Sequence, residues 1–273
     1  MIDQFIEQAF KEDIPMGDIT TQALGVPEKF GLAQLIAKQD LVLSGSELFK
    51  KSLNFINPEL MSTWHFMDGD SIYKGQSICQ IEGNLISLLK AERVALNFVG
   101  YLSGIATTTQ KFVKACDGTN TKILDTRKTL PLYREFAKKA VIHGGGENHR
   151  MNLSVAAMIK ENHVQISGDF KKCIETVRNS TDEFLEVEVT NIDELKTAIE
   201  FDIQRVMLDN MNNELMSECL KIIPAKIETE ASGNMTLDRI QSVAKLGVDF
   251  ISVGALTHSV QNADMSLLFD WNR

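Results

Sequence analysis

Between Lys122 and Val253 the chain repeats one pattern: a short apolar run, a few polar residues, then a stretch with helical periodicity. The runs are Lys122-Ile123-Leu124, Ala156-Ala157-Met158-Ile159, Phe184-Leu185-Glu186-Val187, Arg205-Val206-Met207-Leu208, Lys226-Ile227-Glu228-Thr229 and Phe250-Ile251-Ser252-Val253. Strands that alternate with helices pair in parallel through crossover connections, so this stretch is expected to form a parallel sheet covered by helices. Two helix starts are legible. Asn191 is followed three residues later by Glu194, with Leu195, Ala198 and Ile199 on one face, and Thr236 is placed to cap a helix from Leu237 to Leu246 that stops at Gly247. Polar residues gather where each run ends: 125–129, 160–163, Glu188, Asp209-Asn210, Ser232-Gly233-Asn234 and Gly254. In an α/β barrel those positions form the rim that carries catalytic groups.

The preceding residues read differently. Ile2, Phe5, Ile6, Ala9 and Phe10 share a helical face that breaks at Pro15-Met16-Gly17. From Leu32 to Glu82, short apolar runs separated by Asp68-Gly69-Asp70, Lys74-Gly75 and Glu82-Gly83 suggest small strands. Asn84 is positioned to cap a helix carrying Leu85, Leu88, Leu89, Leu96 and Val99 and ending near Ser103-Gly104. The expected domains are 1–104 and 105–273, with the last residues packing back on the first. The 273 residues are 44% hydrophobic, enough for one large domain or two ordinary ones.

A net charge of -9 argues against nonspecific nucleic-acid or membrane partners, which select a basic surface. No apolar run is long enough to span a bilayer, the start lacks a secretory signal, and Cys79, Cys116, Cys173 and Cys219 have no CxxC spacing. Buried thiols in a cytosolic protein are expected.

Against that acidic background, local positive charge is informative. Arg127, Lys128, Arg150 and Lys160 are expected to surround a small, multiply anionic substrate. Asp125-Thr126-Arg127-Lys128-Thr129 sets two cations and two hydroxyls directly after a strand; a guanidinium grips a carboxylate or phosphate with two hydrogen bonds, and an ammonium acts as a point charge. Taken alone, the pair also fits a solvated basic turn. Gly144-Gly145-Gly146-Glu147-Asn148-His149-Arg150 adds an amide-rich loop ending in two further cationic candidates, though a triple glycine is often only a surface loop. Lys160 closes an apolar run, where an unpaired charge is costly unless it faces a cleft. Glu188 and Asp209 sit at carboxyl ends of strands, suited to Mg²⁺ held partly through water or to sugar hydroxyls, and equally to pairing with the rim lysines. Ser232-Gly233-Asn234 and Ser252-Val253-Gly254 have the composition of a phosphate cradle after the last strands of a barrel.

Through Gly17-Asp18-Ile19-Thr20-Thr21, Glu92-Arg93-Val94-Ala95-Leu96-Asn97, Leu102-Ser103-Gly104-Ile105-Ala106-Thr107, Asp125-Thr126-Arg127-Lys128-Thr129, Asn148-His149-Arg150, Ile159-Lys160, Asn162-His163, Glu186-Val187-Glu188, Met207-Leu208-Asp209-Asn210, Glu230-Ala231-Ser232-Gly233 and Ser252-Val253-Gly254-Ala255-Leu256-Thr257, the chain resembles the quinolinate phosphoribosyltransferase family. The resemblance implies an α/β fold: an N-terminal α/β sandwich-like domain and an incomplete, type II phosphoribosyltransferase-like α/β barrel. It also implies decarboxylating transfer from phosphoribosyl pyrophosphate to quinolinate in NAD biosynthesis, with Mg²⁺, by a homodimer or larger assembly with shared sites. Arg93 would reach the partner's site. Arg127, His149 and Arg150 would hold the two carboxylates, with Thr126 beside them. Lys128 and Lys160 would lie between the two substrates, Glu188 and Asp209 would face the ribose and Mg²⁺, and Ser232, Gly233, Asn234, Ser252, Val253 and Gly254 would take the 5′-phosphate.

The chain departs from the family's usual residues at Leu132, Lys139, Glu147, Asn152, Val155 and Glu161. The departures bear on loop shape and substrate fit rather than on the reaction class. Three other readings were weighed. The molybdenum-transport paralogue differs in its motifs after Lys160. A nicotinate-using transferase would leave part of the arginine clamp idle. A biotinyl or lipoyl carrier fits the turn-rich residues 68–76 but lacks an attachment lysine.

Overall fold

The computed structural model describes residues 2–25 and 27–270. The chain divides into two compact units, the first comprising residues through 108 with 142–145 and those from 260 onward, the second 109–141 and 146–259.

In the first unit, α1 (Ile2–Asp13) buries Ile6 and Phe10 of its predicted apolar face, and Asp18 caps the short α2 (Ile19–Leu24) by accepting the Thr21 N–H at 3.1 Å. Strands β1 (Phe30–Ala37) and β2 (Leu41–Val42) follow. The strands expected from Leu32 to Glu82 are interrupted by a helix, α3 (Ser46–Ile56), that buries Leu48, Phe49 and Leu53. Its apolar residues follow the helical period rather than alternating, and the Asp68 carboxylate, from the turn predicted at 68–70, accepts the Gly45 and Ser46 N–H groups at its start. After β3 (Met61–Trp64), β4 (Ser71–Ile72) and β5 (Ser77–Asn84), an antiparallel sheet forms in the order terminal strand, β1, β5, β3. That terminal strand is Met265–Asp270, the segment expected to pack back; residues 271–273 lie outside the described residues.

Asn84 caps α4 as expected, its Oδ1 accepting from Ile86 and Ser87. The helix does not stop at Ser103-Gly104, however, and runs from Leu85 to Ala115. Gly104 is present because a neighbour needs the space rather than as a stop: a Cβ there would overlap the main-chain carbonyl of Gln261. Among the described residues no helix is long and apolar enough to cross a membrane.

The second unit is the predicted alternation. Its strands are β6 (Lys122–Leu124), β7 (Ala157–Ile159), β8 (Leu185–Val189), β9 (Arg205–Asp209), β10 (Glu228–Ser232) and β11 (Phe250–Ser252). They pair in parallel in the order β6-β11-β10-β9-β8-β7. Six strands, with β6 and β7 at the two ends and not paired with each other, make an incomplete version of the eight-stranded barrel. The fifth run lies two residues later than its apolar start suggests, because Lys226-Ile227 belong to the preceding turn. Helices α5 (Arg134–His143), α6 (Glu161–Ser167), α7 (Phe170–Ser180), α8 (Ile192–Ala198), α9 (Asn213–Leu220), α10 (Leu237–Ala244) and α11 (Ala255–His258) fill the connections. Asn191 caps α8, accepting from Asp193 and Glu194, while Thr236 starts α10 without a side-chain cap.

Register explains the burial. Val187, Val189, Val206, Leu208, Ala231 and Ile251 are fully buried, as are Ile174, Leu195, Met216, Ile240 and Val243 from the helices; each such aliphatic side chain contributes about 1.5–3 kcal/mol. The intervening positions share the opposite face: Met158, Glu186, Arg205 and Glu228 are paired across the sheet, as are Glu188, Met207, Glu230 and Phe250. That second face is largely charged.

Gly104→Ala should destabilise the protein by about 1–3 kcal/mol through overpacking against the Gln261 backbone, and urea unfolding that matches wild type would contradict this.

Candidate active site

At the carboxyl ends of the second unit's strands lies a cavity of about 290 Å³. It gathers Thr126, Arg127 and Lys128 after β6, His149 and Arg150 from the glycine loop, Lys160 after β7, Ser232 and Ser252. Met158 and Met207 add apolar walls and Glu230 an acidic one. The four cations singled out in the sequence therefore line one space.

The other expected residues stand elsewhere. Glu188 accepts from Lys160 Nζ at 2.6 Å, so it pairs with a rim lysine. Asp209 shares the inward face two residues beyond Met207 and accepts from the Asn210 amide at 2.6 Å. Gly233 (φ 86°) lies between Asn210 (φ 55°) and Asn234 (φ 50°), and a Cβ on it would overlap the Asn210 side chain. Val253 is buried and donates its N–H to the Leu124 carbonyl at 2.9 Å, and Gly254 begins α11. Arg93 is on α4 in the first unit, lining a separate cavity with Leu96, Asn97 and Gly100.

Main-chain acceptors hold the cationic loops. Arg134 reaches Thr129 Oγ1 (3.3 Å), the Arg127 carbonyl (3.4 Å) and the Met151 carbonyl (3.3 Å), and Thr257 Oγ1 donates to the Lys128 carbonyl at 2.9 Å. Arg150 Nη1 donates to the Ala156 carbonyl at 2.8 Å. Burial and the neighbouring Arg127 charge press the Arg150 pKa down, and Arg127 Nε is buried without a partner. Cations forced together in this way leave the space suited to an anion.

Beneath them lie two buried groups, Lys138 with Asp125 and the His149 ring with Glu186 and Glu230, of which only His149 was expected in the site. The Lys138 ammonium, on α5, pairs with Asp125; the two side chains are 1% and 0% exposed. Asp125 Oδ1 also accepts the His149 N–H at 2.9 Å, and Lys138 donates to the His149 carbonyl at 2.8 Å. The Asn148 amide, turned so that its NH₂ faces the Lys138 carbonyl at 3.0 Å, completes the shell. Burial draws the Asp125 carboxyl up and the Lys138 ammonium down, each against the other's charge.

The second group is the His149 ring, whose Nε2 lies 3.0 Å from Glu186 and 3.4 Å from Glu230. Burial disfavours charge on this ring, yet the two carboxylates would push its pKa up to about 9. An imidazolium needs Nδ1 as a donor, however, and the Arg150 N–H already donates to that atom at 2.7 Å. Burial and the neighbouring Glu230 charge raise the Glu186 carboxyl. Glu230 is drawn down, against its burial, by His149, Ser252 and Arg205. A side chain from the loop that Glu147 bridges to the outer edge of β6 meets carboxyls on β8 and β10, which requires the sheet to curl around a common axis.

A family model for the quinolinate phosphoribosyl transferase N-terminal domain matches residues 18–103, and one for its C-terminal domain matches residues 105–268. The chain belongs to the quinolinate phosphoribosyltransferase family. It is 36% identical over 266 residues to a probable nicotinate-nucleotide pyrophosphorylase of Bacillus subtilis, covering 97% of this chain and 92% of that one. A mitochondrial decarboxylating quinolinate phosphoribosyltransferase of Nicotiana glauca is 36% identical over 288 residues, covering 98% and 82%. The solved nicotinate-nucleotide pyrophosphorylase of Francisella tularensis superposes with a TM-score of 0.94 at 38% identity, covering 98% of this chain and 96% of that one.

Where the chain departs from the usual residues of the quinolinate phosphoribosyltransferase family, the cavity lining is untouched. Lys139 pairs with Glu135, Glu147 pairs with Lys122 at 2.7 Å, and Asn152 Oδ1 accepts the Ser154 N–H at 2.8 Å. Val155 is half exposed, and Glu161 opens α6. Leu132 is exposed at φ 64°, a left-handed conformation that costs a residue with a Cβ about 1–2 kcal/mol.

Lys138→Met should cost about 3–5 kcal/mol by stranding a buried carboxylate, whereas Lys139→Ala, removing a surface pair, should cost less than about 1 kcal/mol. Equal losses in denaturant titrations would refute this contrast.

Proposed function

We propose that this chain transfers the phosphoribosyl group of phosphoribosyl pyrophosphate to quinolinate, yielding nicotinate mononucleotide, pyrophosphate and CO₂, a step of NAD biosynthesis. The observation that carries the reading is the single small cavity in which Arg127, Lys128, Arg150 and Lys160 converge. A flat ring bearing two adjacent carboxylates suits guanidiniums at one side and the Met158 and Met207 walls at its faces.

In this reading Arg127 and Arg150 clamp the dicarboxylate, with Thr126 and His149 shaping the same wall. Lys128 and Lys160 neutralise charge between the acid and the phosphorylated sugar. Glu188 orients Lys160 and, with Asp209, faces the ribose. Ser232, Gly233, Asn234, Ser252 and Gly254 receive the 5′-phosphate, with N–H groups as important as side chains, and Val253, its own N–H held by Leu124, fixes the spacing between Ser252 and Gly254. The pyridine nitrogen attacks C1 of the ribose as the C1–O bond to pyrophosphate breaks, and the cations stabilise the charge that leaves. The quaternised nitrogen then draws the electron pair released when the 2-carboxylate departs as CO₂, and that carbon takes up a proton. Transfer therefore precedes decarboxylation.

Mg²⁺ belongs to this proposal. A small cation that keeps most of its water and shares substrate phosphates needs only one or two carboxylates, and Glu188 and Asp209 share one face of adjacent strands. Bound there through water, it would offset charge on the pyrophosphate. We also propose a homodimer in which Arg93 of each protomer completes the other's site, acting in the cytosol. All four cysteines are buried and unpaired, as a reducing compartment leaves them.

With Mg²⁺, quinolinate and phosphoribosyl pyrophosphate, the purified protein should release CO₂ and pyrophosphate, and nicotinate should not replace quinolinate; turnover with nicotinate alone would sink the proposal. Arg93→Ala and Lys128→Ala, each inactive, should regain activity when their subunits are exchanged, and well-mixed heterodimers that stay inactive would contradict the shared site.

A further inference from the structure

The cavity rests on two carboxyl side chains, Glu186 and Glu230, that are 2% and 0% exposed and have no place in the clamp. Both bring their Oε2 atoms to within ion-pair distance of His149 Nε2, and that nitrogen and the two Oε1 atoms are buried without a directed hydrogen bond. The His149 ring is only 9% exposed. Its other nitrogen accepts the Arg150 main-chain N–H at 2.7 Å, and the Arg150 guanidinium is tied to the Ala156 carbonyl. One ring nitrogen is thus hydrogen-bonded to the main chain and the other lies against the buried carboxyls, so His149 meets the cavity as a fixed wall.

The surrounding charges fit this arrangement. Below the carboxyl pair, Arg205 contacts Glu230 at 3.3 Å and Glu228 at 2.7 Å, with its guanidinium over the rings of Phe184 and Phe250. From β6 and α5, Asp125 and Lys138 engage only the His149 main chain. On the cavity side, Arg127 and Arg150 line the same space as the ring. His149, Glu186 and Glu230 also place one nitrogen and two oxygens within 4.8 Å of one another, the donor set of a small metal site. That use would set a further cation beside Arg127, Arg150 and Arg205, which the local charge opposes.

We infer that Glu186 and Glu230 are positioning residues: they hold the His149 ring with Nε2 against the carboxyl pair and, through the Arg150 N–H on Nδ1, fix where Arg150 enters the cavity. The inference rests on the proposed clamp for its effect on substrate, but not for its structural content. Losing this support lets Arg150 drift, and a displacement of order 1 Å at a positioned group can cost up to about 100-fold.

The test uses the full-length protein labelled with ¹⁵N-histidine, with His149→Asn identifying the ring signal among the five histidines. At neutral pH the wild-type ring should carry a proton on Nε2 and none on Nδ1. In Glu186→Leu, of similar volume, the two nitrogen signals should average, and KM for quinolinate should rise about tenfold while that for phosphoribosyl pyrophosphate stays put. Glu186→Gln, whose amide oxygen still accepts from Nε2–H, should recover the ring signal and most of the affinity. A wild-type ring protonated at Nδ1, or one whose signals shift with stoichiometric Zn²⁺, would overturn the inference. So would a folded Glu186→Leu variant with unchanged quinolinate KM. Absence of quinolinate turnover in wild type would remove the proposed function, while the ring spectrum would still decide this point.

Discussion

Asp125 and Lys138 meet where water reaches neither, an arrangement that gains little net stability because both ions lose their hydration. Its worth is geometric. The same carboxylate accepts the His149 N–H and the same ammonium donates to the His149 carbonyl, so one ion pair spans the end of β6 and the loop after the glycines. Everything cationic in the cavity is strung from those two segments or from β7: Arg127 and Lys128 follow Asp125 directly, and Arg150 follows His149. A loop with three consecutive glycines has a wide choice of conformations; the ion pair and the Glu147 bridge to β6 select one.

Holding Arg127, Lys128 and Arg150 close together runs against their mutual repulsion. The protein counters with acid placed beneath rather than among them. Glu188 partners Lys160 at the rim, while Glu186 and Glu230 sit deeper, facing Arg205 from the other side. The guanidiniums therefore keep their outward hydrogen-bonding edges for a bound anion while the field they generate is partly compensated from below.

Much of this could be read before any coordinate was seen. The six-run alternation gave the parallel sheet, and the polar residues ending each run pointed to the rim. α4 was misread because Gly104 looks like a stop, and only the nearby Gln261 backbone gives it a packing role. α3 was missed because its apolar positions were weighed for turns rather than for a 3.6-residue period. Glu186, Glu230 and Lys138 lie outside the polar clusters that mark the rim. A signal was present. Glu186 and Glu188, Arg205 and Asp209, and Glu228, Glu230 and Ser232 recur at spacings of two and four, the mark of one polar face along a strand. Lys138 offered no such sign, since a lysine in an amphipathic helix is ordinarily solvated.

That polar face has a further consequence. Barrels of this kind are usually filled by branched aliphatics in stacked layers, but here the axis is a column of alternating sign: Arg205 lowest, the Glu186 and Glu230 carboxyls next, and the arginines of the cavity above. In a medium of low polarisability, charge along such a column is felt well beyond contact distance. The half-exposed Glu228 at the foot of the column, far down the strand from the rim, is therefore electrically part of the site. Evolution can retune the pull on a bound anion from the opposite mouth of the barrel, without altering any side chain that touches it.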